Sequence, residues 1–215
     1  MIPPGSSFWS EKKPMVAHKK PPYVPLETYF EREAVSESKH EYQDGVIVAM
    51  AGAPPAHVRI TTNLMRRIGN QLEGKPCEPF DSDMRVMVEA CHAVFYPDQT
   101  VVCEPPRFAE APMATLLNPA LIVEVLSPST ERADRAVKFD SYRLLESIRG
   151  YVLVSQDEPR IELFHRQPEG SWTYQVARGL EANLRLEAIG CELRLAEVYA
   201  RVTFPPDSAE EASEP

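Results

Sequence analysis

The alternation of apolar and polar residues is clearest in the middle of the chain, where residues 119–126 form an almost unbroken apolar run. Runs of about four to eight apolar residues are typical of strands that are buried on both faces of a sheet. Because successive side chains of a strand alternate, Ile122, Glu124 and Leu126 share one face. The pattern therefore predicts a buried strand with a carboxylate at its centre. Such a carboxylate is costly unless it is paired, protonated or bound to a metal.

Apolar residues at helical spacing predict several helices around this strand. The clearest pattern repeats every four residues from Ile60 to Leu72, and Gly74 follows it as a stop signal. Ser127 and Pro128, directly after the central strand, are good signals for the start of another helix. The predicted helices cover residues 25–38, 56–73, about 130–147 and 196–202.

Extended segments make up most of the remaining pattern. Asp44-Gly45 lies between two extended runs, which is a strong signal for a β-hairpin with Glu41 on its first arm. The other predicted strands cover residues 83–89, 94–104, 151–154, 160–166, 172–178, 184–186 and 191–195. This order of helices and strands predicts an α+β (α/β) fold, in which helices flank the core of a mixed β-sheet.

Length and composition set the domain organisation. The chain has 215 residues, of which 43% are hydrophobic, and this is enough for one sizeable core. Residues 1–22 are expected to form a flexible tail, residues 23–204 a single domain, and residues 205–215 an acidic disordered tail. No apolar run approaches the roughly 20 residues of a membrane span, and the N-terminus lacks the apolar core of a signal peptide. A cytoplasmic protein without membrane contact is therefore expected.

The net charge limits the kinds of partner that the protein is expected to bind, and the cysteine spacing indicates the state of its thiols. The net charge of −9 argues against broad, nonspecific binding of nucleic acid through a basic face. It is compatible with a local basic cleft, or with metal ions that offset clustered carboxylates. The four cysteines form no CxxC pair, and free thiols are expected for all of them in a reducing cytoplasm. They are Cys77, Cys91, Cys103 and Cys191.

Asp98 and Glu124 are the two acids embedded in otherwise apolar strands. The chain between them is long enough for one strand to end and an adjacent strand to return. Adjacent strands lie about 5 Å apart, so the two carboxylates would repel each other unless a cation lay between them. A hard divalent ion with oxygen ligands, Mg²⁺ or Mn²⁺, would meet this need. The alternatives are a Pro-Asp turn for Asp98 and a structural ion pair for Glu124.

Two other polar residues affect this interpretation. His57 lies in the first turn of the second predicted helix and is interpreted as a solvent-facing or cap-region histidine. Gln99 follows Asp98 at a position where an apolar residue would fit a buried strand better.

Several segments, in this order, resemble the Uma-two family of putative restriction endonucleases, within the PD-(D/E)XK nuclease superfamily. They are HEYQDGVIVAMAGAPPAH, YPDQTVVC, VEVLSPST, DRAVKFDSYR and GCELRLAEVY. The resemblance covers residues 25–203 and implies a restriction-endonuclease-like fold that hydrolyses phosphodiester bonds with the help of a metal ion. By position, it implies Asp98 and Glu124 as metal ligands, the carbonyl oxygen of Val125 as a third, and Glu41 as an additional acid. An exposed glutamate on an edge strand is the alternative for Glu41.

The chain departs from the superfamily pattern at Leu126, which stands where a lysine is expected two residues after Glu124. The resemblance to the narrower family implies that the lysine has moved to the next helix, where Lys138 is the candidate. Helical geometry permits this, because Lys138 lies about 20° from the apolar edge of the helix. The alternative is an exposed i, i+4 pair with Asp134. Tyr142, one turn further on, is expected either to frame the site or to pack as a core aromatic.

The sequence therefore predicts a metal-dependent endonuclease that cleaves nucleic acid, with DNA favoured over RNA and with Mg²⁺ or Mn²⁺ as cofactor. A homodimer would suit cleavage of both strands by symmetry. The alternative is a catalytically silent module that keeps the nuclease fold and binds nucleic acid or protein. Hydrolysis of a smaller phosphate ester is a third possibility. ATPase, serine hydrolase and zinc protease signatures are missing from the sequence.

Overall fold

The computed structural model describes residues 21–205. Most of its helices and strands lie in the predicted segments, but the strands Glu78–Asp81 and Thr115–Leu116 were not predicted and the predicted strand 94–104 is divided in two. In chain order they are α1 (Leu26–Glu33), β1 (His40–Gln43), β2 (Val46–Ala49), α2 (Pro55–Leu72), β3 (Glu78–Asp81), β4 (Arg85–Val88), β5 (Ala93–Phe95), β6 (Gln99–Val102), β7 (Thr115–Leu116), β8 (Leu121–Leu126), α3 (Glu131–Ala133), α4 (Phe139–Tyr142), β9 (Gly150–Ser155), β10 (Arg160–Arg166), β11 (Trp172–Arg178), β12 (Asn183–Leu186), β13 (Cys191–Arg194) and α5 (Leu195–Val198). A π-helical stretch, Asp134–Lys138, joins α3 to α4.

The strands form mixed sheets. The larger sheet has the order β11-β10-β9-β8-β6-β3, in which β8 and β9 are parallel and the other neighbours are antiparallel. A second sheet has the order β2-β1-β5-β4-β7, and β12 pairs with β13. The α+β fold class with mixed sheets and flanking helices is therefore confirmed.

The two faces of β8 have different neighbours. Val123 and Val125 belong to the apolar core that α2 covers through residues such as Ile60 and Leu64. Ile122 and Leu126, which point to the opposite face, belong to a second core that includes Tyr142 of α4 and Tyr151 of β9. Glu124 shares this second face, as the alternation of side chains predicts, and it points towards the segment from α3 to α4.

The hairpin that the sequence predicts at Asp44-Gly45 is present. Asp44 and Gly45 adopt positive φ angles of 40° and 89° between β1 and β2, which is the conformation that a tight hairpin turn requires. The first helix is shorter than the predicted range 25–38, because it ends after Glu33. The Glu33 carboxylate accepts a hydrogen bond from the backbone N–H of His40, so the chain turns back towards β1 at this point.

The expectation of four free thiols is wrong for two of them, because Cys77 and Cys103 form a disulfide. The pairing of Glu78 with Val102 between antiparallel β3 and β6 brings the two cysteines opposite each other, with their Cα atoms 3.9 Å apart. Cys91 and Cys191 are free. The cytoplasmic location, which was part of the reasoning for free thiols, stays a prediction.

None of the helices between residues 21 and 205 is both long enough and apolar enough to cross a membrane. The predicted tails lie outside the described residues, apart from residues 21, 22 and 205. The prediction of a single domain over residues 23–204 stays a prediction.

Candidate active site

Glu124 lies at the centre of the site, on the strand in the middle of the larger sheet. Only 3% of the surface of Glu124 is exposed to solvent. Apolar residues precede and follow it on the same face of β8, so the strand holds its carboxylate below the helical segment that follows. The tertiary structure thus leaves this carboxylate with almost no contact with water, and its partners must come from the protein.

Asp98 lies directly before β6, which pairs with β8. Gln99 is opposite Val123 in this antiparallel pair, so the same register brings Asp98 beside Glu124. The Asp98 Oδ2 atom accepts a hydrogen bond of 2.7 Å from the backbone N–H of Val125. Asp98 itself lies in a bend between β5 and β6, as the Pro-Asp alternative held, and not within a strand, but the register still places it beside Glu124. Gln99 begins β6 as a buried residue, so its polar side chain does not prevent the strand from forming.

Lys138 ends the π-helical stretch and points inward, with 5% of the residue exposed. Its ammonium nitrogen lies 2.8 Å from Glu41 Oε1 and 3.2 Å from Glu124 Oε1. It also lies 3.2 Å from Asp134 Oδ1, one turn earlier. The i, i+4 pair with Asp134 thus exists, but it is buried and forms part of a larger cluster.

Glu41 reaches this cluster from β1 in the second sheet. It is 7% exposed, and β1 lies between β2 and β5, so it is not an edge strand. The structure therefore does not show the exposed edge-strand glutamate that was the alternative. The backbone N–H of Tyr96 also donates a hydrogen bond of 3.4 Å to Glu41 Oε1.

The charges in this cluster do not balance. An ammonium group has three N–H donors, and three carboxylates lie within hydrogen-bonding distance of Lys138. Burial raises the pKa of Glu124 well above its usual value, and the negative charges of Asp134, Asp98 and Glu41 raise it further, while Lys138 lowers it. Burial alone would lower the pKa of Lys138, but the surrounding carboxylates outweigh it and raise that pKa, so the amine stays protonated.

Tyr142 has both of the roles that the sequence left open. Its hydroxyl donates a hydrogen bond of 3.3 Å to Glu124 Oε1. Its ring lies in the core, with a centroid 5.2 Å from that of Phe95 in an edge-to-face arrangement. Burial, followed by the charge of Glu124, raises the pKa of the phenol well above its usual value, so the hydroxyl is a donor.

Two residues of the site were not recognised from the sequence. Asp134 is 1% exposed and contributes a further buried acid. His57 does not face solvent: its side chain is 15% exposed, and Nε2 lies 2.8 Å from Asp98 Oδ1. The available signal was the position of His57 at the end of the segment AGAPPAH, within one of the motifs that carry the family resemblance.

No three His, Cys, Asp or Glu side chains in the described part of the chain converge in an arrangement that would hold a metal ion. Glu41 and Glu124 converge on the Lys138 ammonium instead. In this conformation, the amine therefore neutralises the centre of the cluster.

Two relatives from Synechocystis sp. (strain ATCC 27184 / PCC 6803 / Kazusa) are similar to most of the chain. The uncharacterized protein slr1290 is 34% identical over 196 residues, which are 88% of this chain and 100% of the relative. The uncharacterized protein sll1609 is 33% identical over 156 residues, which are 73% of this chain and 88% of the relative.

The fold is similar to a crystal structure described as a putative nuclease belonging to DUF820, from Anabaena variabilis ATCC 29413. The TM-score is 0.67 at 16% sequence identity, and the match covers 84% of this chain and 99% of the other. This likeness shows that the two chains share their fold. The family predicted from the motifs is confirmed as well: the chain belongs to the Uma2 family, described as putative restriction endonuclease, whose model matches residues 26–196.

Proposed function

We propose that this protein is a metal-dependent endonuclease that hydrolyses phosphodiester bonds of nucleic acid, with DNA as the favoured substrate. The observation that carries the proposal is the convergence of Glu41, Glu124 and Lys138, from two sheets and a helical segment, beside Asp98. Residues so distant in the sequence bury their charges in one place at considerable cost. Membership of a family of restriction endonuclease-like proteins supports the same reaction class.

The oxygen donors of this cluster suit a hard divalent cation, Mg²⁺ or Mn²⁺. The two glutamates converge on Lys138 and form no metal site in this conformation, so Asp98, Glu124 and Glu41 would hold the ion only once the lysine has moved aside. Burial and, to a smaller extent, the neighbouring carboxylates raise the pKa of Glu124, and a further positive charge would favour its ionised form. When bound, such an ion polarises the phosphate and lowers the pKa of an attacking water molecule.

The protein's own groups have separate tasks in this proposal. Lys138 stays protonated and can donate hydrogen bonds to a phosphate oxygen on which negative charge develops. To do so it must leave at least one of its three carboxylate partners. Tyr142 and the backbone N–H of Val125 hold Glu124 and Asp98 in place while Lys138 moves.

The test is cleavage of supercoiled plasmid, linear duplex DNA, single-stranded DNA and RNA by pure protein with Mg²⁺, Mn²⁺ or a chelator. We expect cleavage only with metal, and a loss of at least about 100-fold in Asp98→Asn, Glu124→Gln and Lys138→Met. Asp140→Asn is the matched control, because Asp140 lies on the same helical segment with its side chain 65% exposed and should retain activity. Absence of metal-dependent cleavage on every substrate would refute the proposal.

A silent binding module is the second candidate, and one observation favours it. Three carboxylates lie within 3.2 Å of the Lys138 ammonium nitrogen, as expected of an amine whose role is to neutralise buried acids. This function predicts that binding to nucleic acid or protein survives Asp98→Asn and Glu124→Gln without any metal requirement. Measuring DNA binding by fluorescence anisotropy, in chelator and in Mn²⁺, separates the two candidates.

A further inference from the structure

His57 lies where α2 meets the site. It is in the first turn of this helix, whose Ile60 and Leu64 are packed into the core below the larger sheet. This packing fixes the start of α2 relative to β8. The imidazole is thereby placed against Asp98, a residue 41 positions further along the chain.

Asp98 is held at both of its oxygen atoms. Oδ2 accepts the hydrogen bond from the backbone N–H of Val125, and Oδ1 lies 2.8 Å from His57 Nε2. An ionised carboxylate is only an acceptor, so His57 Nε2 carries the hydrogen of this bond. Two donors on different elements therefore define the orientation of the carboxylate next to Glu124.

The imidazole has no comparable anchor elsewhere. Its Nδ1 atom is buried without a hydrogen-bond partner among the described residues. Pro54, the residue that caps α2, makes no side-chain capping bond, and His57 does not supply one in its place. The polar contact of the His57 ring is thus directed at Asp98, and a role confined to capping the helix does not account for it.

We infer that His57 is a positioning residue, which orients the Asp98 carboxylate for cation binding through its Nε2–H donor. This inference rests on the proposed metal-dependent function. Groups that orient a metal ligand commonly change metal affinity or activity by about 10- to 100-fold when they are removed. His57 would act on the cation through Asp98 alone.

Three variants test the donor separately from the ring. In His57→Gln, the side-chain amide nitrogen can reach the position of Nε2. In His57→Asn, the amide is too short for this, and His57→Phe keeps an aromatic ring without any N–H. His92→Asn is the control: His92 is exposed and has a φ angle of 48°, which Asn tolerates well.

The measurement is Mn²⁺ affinity of the full chain by isothermal titration calorimetry, together with the melting temperature in chelator. We expect an affinity about 10- to 100-fold weaker in His57→Asn and His57→Phe, and within about threefold of wild type in His57→Gln. The control should bind like wild type. Without metal, the melting temperatures of all variants should agree with that of wild type within about 2 °C. A purely structural role of His57 would change the melting temperature instead, and it would not make the two amide variants differ in Mn²⁺ affinity.

The outcomes separate the two proposals. If wild type binds Mn²⁺ and both amide variants bind it equally well or equally poorly, the role of His57 is refuted while the metal-dependent function stands. If wild type neither binds Mn²⁺ nor cleaves nucleic acid, the proposed function fails and this inference fails with it. Should His57→Phe not fold, the comparison of the two amides is sufficient.

Discussion

Lys138 is the single residue on which the buried cluster depends, because it is the cation shared by Glu41, Glu124 and Asp134. Removing one partner of a buried ion pair leaves an uncompensated charge, which costs more than the pair itself contributes. In this cluster the loss of the cation should therefore destabilise the fold far more than the loss of one anion. The excess of negative charge makes the lysine essential, whereas each acid is partly redundant.

We expect Lys138→Met to lower the free energy of unfolding by about 3–5 kcal/mol in chelator at neutral pH, because three carboxylates lose their shared counter-ion. Asp134→Asn is the matched comparison. It removes one of the repelling charges, so the change should be below about 1 kcal/mol or in the stabilising direction. Urea unfolding followed by circular dichroism gives both values. Equal destabilisation by the two substitutions would contradict this description of the cluster.

At the scale of elements, the segment from α3 to α4 must be fixed to the sheet for Lys138 to stay in the site. Phe139 packs against Phe164 of β10, with ring centroids 4.6 Å apart. One turn earlier, Arg135 binds both carboxylate oxygens of Glu162 on β10, at 2.9 and 2.7 Å. An aromatic contact and a bidentate ion pair therefore attach the helical segment to the sheet.

The Arg135–Glu162 pair predicts a pH dependence of stability. The hydrogen bonds from Arg135 hold the pKa of Glu162 below its usual value. Because the pKa of Glu162 is lowered in the folded state, its charge stabilises the fold fully above the usual pKa of 4.5. This stabilisation is lost as the pH falls through the lowered pKa of the folded state. Glu162→Gln should therefore be about 1–2 kcal/mol less stable than wild type at pH 7, a range that allows for the partial exposure of Arg135.

Urea unfolding of the two proteins between pH 7 and about pH 3 is the measurement. The difference in the free energy of unfolding between wild type and Glu162→Gln should shrink once the pH falls below 4.5. Asp140→Asn is the control, since the Asp140 side chain is 65% exposed and pairs with Arg143, which is also exposed. A difference that stays constant across this pH range would show that Glu162 is not stabilised by its charge.

For the whole molecule, the Cys77–Cys103 disulfide restricts the unfolded chain. It joins residues separated by 26 positions and ties the edge strand β3 to β6, which follows Asp98. A cross-link of this span reduces the conformational entropy of the unfolded state. Its effect is therefore expected on global stability rather than on the side chains of the candidate site.

The double variant Cys77→Ser/Cys103→Ser should lower the free energy of unfolding by about 3 kcal/mol, as expected for a closed loop of this length. Wild type in a strong thiol reductant should behave in the same way. Cys91→Ser serves as the control because Cys91 is a free thiol. If the urea midpoint of wild type does not change on full reduction, the cross-link does not stabilise the protein.

Local patterns in the sequence determined the elements and the faces of their side chains. The hairpin of β10 and β11 has the predicted bounds, because two extended runs flank a turn that contains Gly170. The alternation along β8 placed Glu124 on the correct face. Both features depend on the pattern of neighbouring residues within one element. The inward position of Lys138 was indicated by the family resemblance instead, because its segment is π-helical and does not follow the regular helical period.

Only the tertiary structure decided which of these side chains meet. His57 meets Asp98 because α2 is packed below the sheet. Asp134 is buried beside Lys138, and the pattern of residues along its own helical segment does not predict this. Cys77 and Cys103 pair through the register of two strands that are not consecutive. Periodicity specifies the face that a residue occupies, whereas its partners on that face come from distant segments. The sequence therefore predicted acids that need a counter-charge, and the packing of the sheets brought together the groups that supply it.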